Sequence, residues 1–145
     1  MKPSVAVFAV LLALTSSGVL ARKARPSKPF EQLAYVPEGD RARANPLADD
    51  ADAIATGKKL YERHCANCHG VAGENGKKGP GLRGEEIRNA TAGALFWVIT
   101  NGNVRAGMPV WSKLPEAQRW QITTYLKSLA ERSSAPPELG RVRGR

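Results

Sequence analysis

Cys65-Ala66-Asn67-Cys68-His69 is the stretch that decides how the rest of this chain is read. On a helix, two thiols three positions apart stand about one turn apart on one face. Each can then reach one of two vinyl groups on a flat macrocycle, while the imidazole that follows falls beneath the ring. This C-x-x-C-H run is the attachment pattern of c-type haem. Cys65 and Cys68 are therefore the expected thioether tethers, and His69 is the expected first axial ligand of the iron.

A bare C-x-x-C also suits a redox dithiol, half of a zinc site or a disulfide. The inventory weighs against each. The chain has 2 cysteines and 2 histidines, so a zinc site would have to crowd all its Cys and His ligands into the run from His64 to His69. A thioredoxin-like dithiol follows a strand in a βαβ pattern, whereas the residues before Cys65 have a helical period. The dithiol stays as the alternative if no haem is attached.

At 145 residues, with 6% aromatic residues and 14 glycines, the chain allows one domain with a modest core that a large apolar cofactor would complete. The beginning reads as an export leader: Lys2 is basic, Val5 to Leu14 is unbroken apolar sequence, and Val19-Leu20-Ala21 precedes Arg22. Cleavage is expected after Ala21. Such a run is short for a membrane span, so membrane association is expected only if the leader is retained. Export fits the central motif, because bacteria join c-type haem to protein outside the cytoplasmic membrane; a periplasmic or otherwise exported location is expected.

The formal charge of +9 is spread unevenly, with seven of the 22 Lys and Arg before residue 50 and four after residue 130. Between them lie 11 basic and seven acidic residues, a difference of +4. That excess suits either steering toward an acidic redox partner or plain solubility. Nucleic acid is excluded as a partner, since no groove-reading motif is present.

Residues 22–49 carry Pro26, Pro29, Pro37 and Pro46 and read as an extended or loosely packed arm, with Phe30, Leu33, Tyr35 and Val36 as apolar points where it can dock. A helix is expected from Asp49 or Asp50, either of which can cap the first turn. Ile54, Gly57, Tyr61 and His64 share its face. Gly57 costs about 1 kcal/mol there relative to alanine, so a backbone or ring is expected to approach it closely.

The glycines from Gly70 to Gly81 form a loop that can pass close to a flat ligand, with Leu82 packing on the ring and Lys77 and Lys78 at its edge. A phosphate cradle is disfavoured, because the Gly-Lys-Lys lacks the following Ser or Thr and follows no strand. Residues 85–101 hold one or two short helices, with Trp97 flanking the cofactor or simply packing in the core, and Asn101-Gly102 ends them. Pro115 and Glu116 open a last helix with Ile122, Tyr125, Leu126 and Leu129 as its stripe, expected to cross the first. The domain is thus placed at 50–131, followed by a flexible basic tail over 132–145.

Elimination supplies the second axial ligand. Met1 leaves with the leader, so Met108 is the one methionine of the mature chain, and His64 is tied beside Cys65 on the tethered side. A lone methionine is commonly core filler, but Met108 sits in a Gly107-Met108-Pro109 turn, where its thioether can reach the iron.

Taken in order, Cys65-Ala-Asn-Cys68-His69-Gly70, Gly79-Pro80-Gly81-Leu82, Gly107-Met108-Pro109 and the closing helix resemble the class I cytochromes c over about residues 50–130. The small bacterial periplasmic cytochromes c with a Gly-Met-Pro ligand loop look closest. The resemblance implies an all-α cytochrome c fold of three to five helices around one covalent haem, with Gly57 and Tyr125 at the crossing of the first and last helices. It implies that the Pro80 carbonyl accepts a hydrogen bond from His69, and that Met108 is the distal ligand. Trp111 could contact a haem propionate. His/Met ligation suits a one-electron carrier between a dehydrogenase or quinol-oxidising complex and an acceptor such as an oxidase, not an enzyme. The alternative is a haem peroxidase or ligand sensor in which Met108 dissociates.

Overall fold

The structure is a computed structural model that describes residues 28–134; the expected leader, its cleavage site and the last part of the tail lie outside them. Among the described residues are six α-helices, two 3-10 turns and no strand. The expectation of an all-α fold holds. Five helices lie between residues 51 and 134: α2 (Ala51–His64), α3 (Ala66–His69), α4 (Glu85–Asn89), α5 (Ala92–Asn101) and α6 (Glu116–Ser134). The sixth, α1 (Glu38–Arg41), lies in the arm.

α2 begins where the sequence places it. Asp50 accepts hydrogen bonds from the amides of Asp52 and Ala53 at 2.9 and 3.0 Å, satisfying two of the donors that a helix start leaves free. Asp49, at φ 60°, turns the chain into that cap. α2 then crosses α6 at Gly57. A Cβ at this position would overlap the main-chain carbonyl of Gln121 and come within 2.9 Å of Tyr125 Cβ, so only glycine lets the two helices meet this closely. Tyr61 extends the contact, its ring centroid 5.3 Å from that of Tyr125.

The core gathers around this crossing. Tyr61, Ile122, Tyr125, Leu126 and Leu129 are joined there by Leu82, Ile87, Leu95 and Ile99. Each fully buried aliphatic side chain contributes about 1.5–3 kcal/mol. α6 is buried around most of its circumference, because α2, α4 and α5 all pack on it. Its apolar stripe is therefore broader than the four residues visible as a period.

The arm is neither extended nor loose within the described residues. It forms a 3-10 turn (Glu31–Tyr35) and α1, and it docks with Val36 only 5% exposed. Long-range attachments from its second half help hold it. Thr91, which caps α5, donates its hydroxyl to the Arg41 carbonyl at 2.8 Å. Asn45 Nδ2 donates to Thr124 Oγ1 at 2.8 Å. Arg43 pairs with Glu116 at 2.7 Å and lies over the rings of Phe96 and Trp120, which stack on each other at 4.0 Å. Prolines prevent long helices in this segment, but they leave its carbonyls free to accept such bonds.

Candidate functional site

α2 ends at His64, and Cys65 is the joint between it and the single turn of α3. The Cys65 carbonyl accepts from the amides of both Cys68 and His69 at 3.0 Å, so the helical spacing expected of the two thiols survives across the joint. Neither cysteine is in a disulfide and both are half-buried. Burial first, and the neighbouring Cys68 second, push the Cys65 thiol up to about 12. A thiol held protonated is a poor attacking group for disulfide exchange, which disfavours the dithiol reading.

The glycine loop folds back over α3. The Gly79 amide donates to the Cys68 carbonyl at 2.9 Å, and the Leu82 amide to the Gly73 carbonyl at 2.7 Å. This brings the Pro80 carbonyl to 2.9 Å from His69 Nδ1. A carbonyl can only accept, so Nδ1 carries the hydrogen and Nε2 keeps its lone pair for a metal. Gly79 makes room for that arrangement, since a Cβ there would stand 2.8 Å from both Cε1 and Nδ1 of the imidazole. Tyr61 steadies the far side of the turn by donating its phenol to the Gly70 carbonyl at 2.7 Å; burial holds that phenol well above its ordinary value, so it stays a neutral donor.

Met108 comes from a different construction. Asn103 and Met108 exchange two main-chain hydrogen bonds of 3.0 Å each, closing a short loop over the 3-10 turn Val104–Ala106. Met108 is half-buried against Val36, Ala94 and Val98.

Cys65, Cys68, His69, Pro80, Leu82 and Met108 all line one cleft of about 660 Å³. Leu95, Val98, Ile99, Ile122 and Leu126 line it too, and Lys77 and Lys78 are at its wall as expected. Two thiols, a correctly polarised imidazole and a thioether around an apolar cleft fit a covalently tethered haem. They do not fit zinc: among the described residues no group of three or more His, Cys, Asp or Glu side chains is placed to hold an ion. Trp97 packs against the Val36–Ala94–Val98 cluster and is not among the lining residues. Trp111 does line the cleft, and meets His64 edge-on with centroids 5.2 Å apart.

Five lining residues come from the arm: Lys28, Pro29, Phe30, Gln32 and Leu33. The apolar character of Phe30 and Leu33, three positions apart, signals docking; nothing in the sequence places it at the cleft. For Gln32 there is no signal at all.

Residues 52–126 match the family model described as cytochrome C oxidase, cbb3-type, subunit III. Over 95 residues the chain is 36% identical to the cbb3-type cytochrome c oxidase subunit CcoP of Azospirillum sp. (strain B510), a match covering 59% of this chain and 31% of that protein. Over 92 residues it is 35% identical to the quinohemoprotein alcohol dehydrogenase ADH-IIG of Pseudomonas putida, covering 62% of this chain and 12% of that one. The chain thus spans about a third or less of the length of these curated relatives. Its fold is similar to that of cytochrome cL from the marine methylotrophic bacterium Methylophaga aminisulfidivorans MPT, with a TM-score of 0.52 and 24% identity over 78% of this chain and 77% of the other. The chain belongs to the family of cbb3-type cytochrome c oxidase subunit III, and is a c-type cytochrome with covalently bound haem c and an electron-transfer role.

Proposed function

We propose that this chain is a periplasmic one-electron carrier whose haem is tethered through Cys65 and Cys68 and ligated by His69 and Met108. Bound there, the haem iron supplies the chemistry by alternating between its ferrous and ferric states. The chain's own residues set the conditions. Pro80 fixes the His69 tautomer and raises its basicity, Gly79 keeps the imidazole's plane clear, and Leu82, Leu95 and Ile99 exclude water. The observation that carries this reading is the 2.9 Å bond from His69 to Pro80, inside the cleft that both thiols and Met108 also line.

The donor is a dehydrogenase or a quinol-oxidising complex and the acceptor an oxidase or similar redox protein. Relatives that are an oxidase subunit and a quinohaemoprotein dehydrogenase support partners of these classes. No helix among the described residues is long and apolar enough to cross a membrane. The leader is cleaved after Ala21, so the mature protein begins at Arg22, which N-terminal sequencing reads directly.

Periplasmically expressed protein should hold haem that resists acidic acetone. Its ferric form should show the sulfur-to-iron charge-transfer band, and Met108→Ala should abolish that band and lower the potential. A native protein without the band would overturn the Met108 assignment. Rapid carbon monoxide binding by the native ferrous form would point instead to the peroxidase or sensor reading.

A further inference from the structure

We infer that Gln32 is a positioning residue for the Met108 loop, and that the arm segment from Phe30 to Val36 closes the cleft beside that loop. The inference rests on the axial role proposed for Met108. The arm lies outside the residues that match the family model, so this wall of the cleft comes from beyond the shared region.

The linkage is short. Gln32 Oε1 accepts from Asn103 Nδ2 at 2.9 Å, across 71 positions of sequence. Asn103 is the residue that exchanges both main-chain bonds with Met108. Among the described residues, Gln32 is the one side chain from outside the loop that hydrogen-bonds to residues 103–108. The loop's tip gains little else: Val104 is 70% exposed, and Arg105 and Ala106 are exposed.

Packing runs in parallel with that bond. Leu33 and Met108 lean on the same cluster of Val36, Ala94 and Val98, so arm and ligand loop share one apolar support. Arg41 holds the arm's turn in shape by donating to the Leu33 carbonyl at 2.8 Å. Phe30, at φ 64°, adopts a left-handed backbone that bulky residues rarely take, and its neighbour Gln32 is half-buried at the cleft. Strain of that kind persists where surrounding contacts over-determine it.

If Met108 holds the iron, any withdrawal of its loop that carries Asn103 along would work against the Gln32–Asn103 bond. A neutral hydrogen bond shifts such an equilibrium by about twofold to tenfold. The test uses the haem-loaded full-length protein with imidazole as a competing ligand of the ferric iron. Gln32→Ala should raise the apparent affinity for imidazole by about twofold to tenfold. It should also speed hydrogen exchange at the Met108 amide while leaving the amides of α2 and α6 unchanged. Gln32→Glu keeps the acceptor oxygen and should restore the native values.

If Gln32→Ala leaves both imidazole affinity and Met108 exchange as in the native protein, the positioning role is wrong while the axial reading stands. If Gln32→Glu behaves like Gln32→Ala, the acceptor is not the cause and the role is equally wrong. A native ferric protein without the sulfur-to-iron band removes the axial reading, and this inference with it.

Discussion

Tyr61 donates its phenol to the carbonyl of Gly70 at 2.7 Å, fastening the buried side of α2 to the residue directly after His69. Tyr61→Phe keeps the ring and its contact with Tyr125 but leaves that carbonyl without its partner. The variant should lose about 1–2 kcal/mol of stability by urea denaturation. A variant as stable as the native protein would show that water replaces the phenol without loss.

Burial raises the phenols of both Tyr61 and Tyr125 above their ordinary value. The folded state therefore holds these protons more tightly than the unfolded state does. Stability from this source is full below the unfolded phenol value of about 10 and is lost as pH rises beyond it. Urea midpoints measured on either side of that value should fall, and the fall should be shallower in Tyr61→Phe. Equal slopes in both proteins would remove Tyr61 as the source.

Gly57→Ala should reverse the usual preference of helices for alanine. The added methyl meets the Gln121 carbonyl, which cannot rotate away as a side chain can. Forcing α2 from α6 should cost roughly 1–3 kcal/mol net and lower the melting temperature of the haem-loaded protein. An unchanged melting temperature would mean that the helices part freely.

At Gly79 the same logic acts on the proposed ligand. A methyl there presses on Cε1 and Nδ1 of His69 and weakens the bond to Pro80. A less basic imidazole stabilises ferric iron less, so Gly79→Ala should raise the reduction potential by about 30–60 mV, where 59 mV is tenfold for one electron. Redox titration decides; a fall would contradict this account.

Arg43 joins the arm to α6 through Glu116 and to α5 through Phe96. Arg43→Ala should cost about 1 kcal/mol and expose the arm to limited proteolysis. Glu116 is held below its ordinary value, first by its hydrogen bond from Trp120 and then by Arg43. Its contribution is therefore present above the unfolded carboxyl value of about 4.3 and lost as pH falls below it. Native arm protection should weaken in acid and in high salt. Protection independent of both would assign the docking to the packing of Val36 and Leu33 and to the neutral hydrogen bonds of Thr91, Asn45 and Gln32.

The attachment run, the Asp50 cap, the close approach at Gly57 and the end of α5 at Gly102 were all legible in the sequence, because each is a local requirement written in a few adjacent residues. The docking of the arm was not. It depends on pairs such as Asn45 with Thr124 and Gln32 with Asn103, which lie 79 and 71 positions apart and leave no periodic trace. Trp97 stayed open between cofactor and core for a related reason: an aromatic on α5 can face the cleft or the arm, and helical spacing alone does not say where the arm lies; it packs in the core. Gln32 belongs to the same class, since a polar residue among prolines looks like surface until its partner is known.

The meeting of Gly57 with the Gln121 carbonyl also has a mechanical meaning. No side chain stands between the two helices at that point, so no rotamer can adjust to let them drift together or slide. α6 carries Ile122 and Leu126 into the cleft wall, and the end of α2 leads directly into Cys65. A wall set by two touching backbones has low compliance. In the one-electron carrier proposed above, such stiffness would keep the two oxidation states close in structure, so that little energy goes into moving atoms when the charge moves.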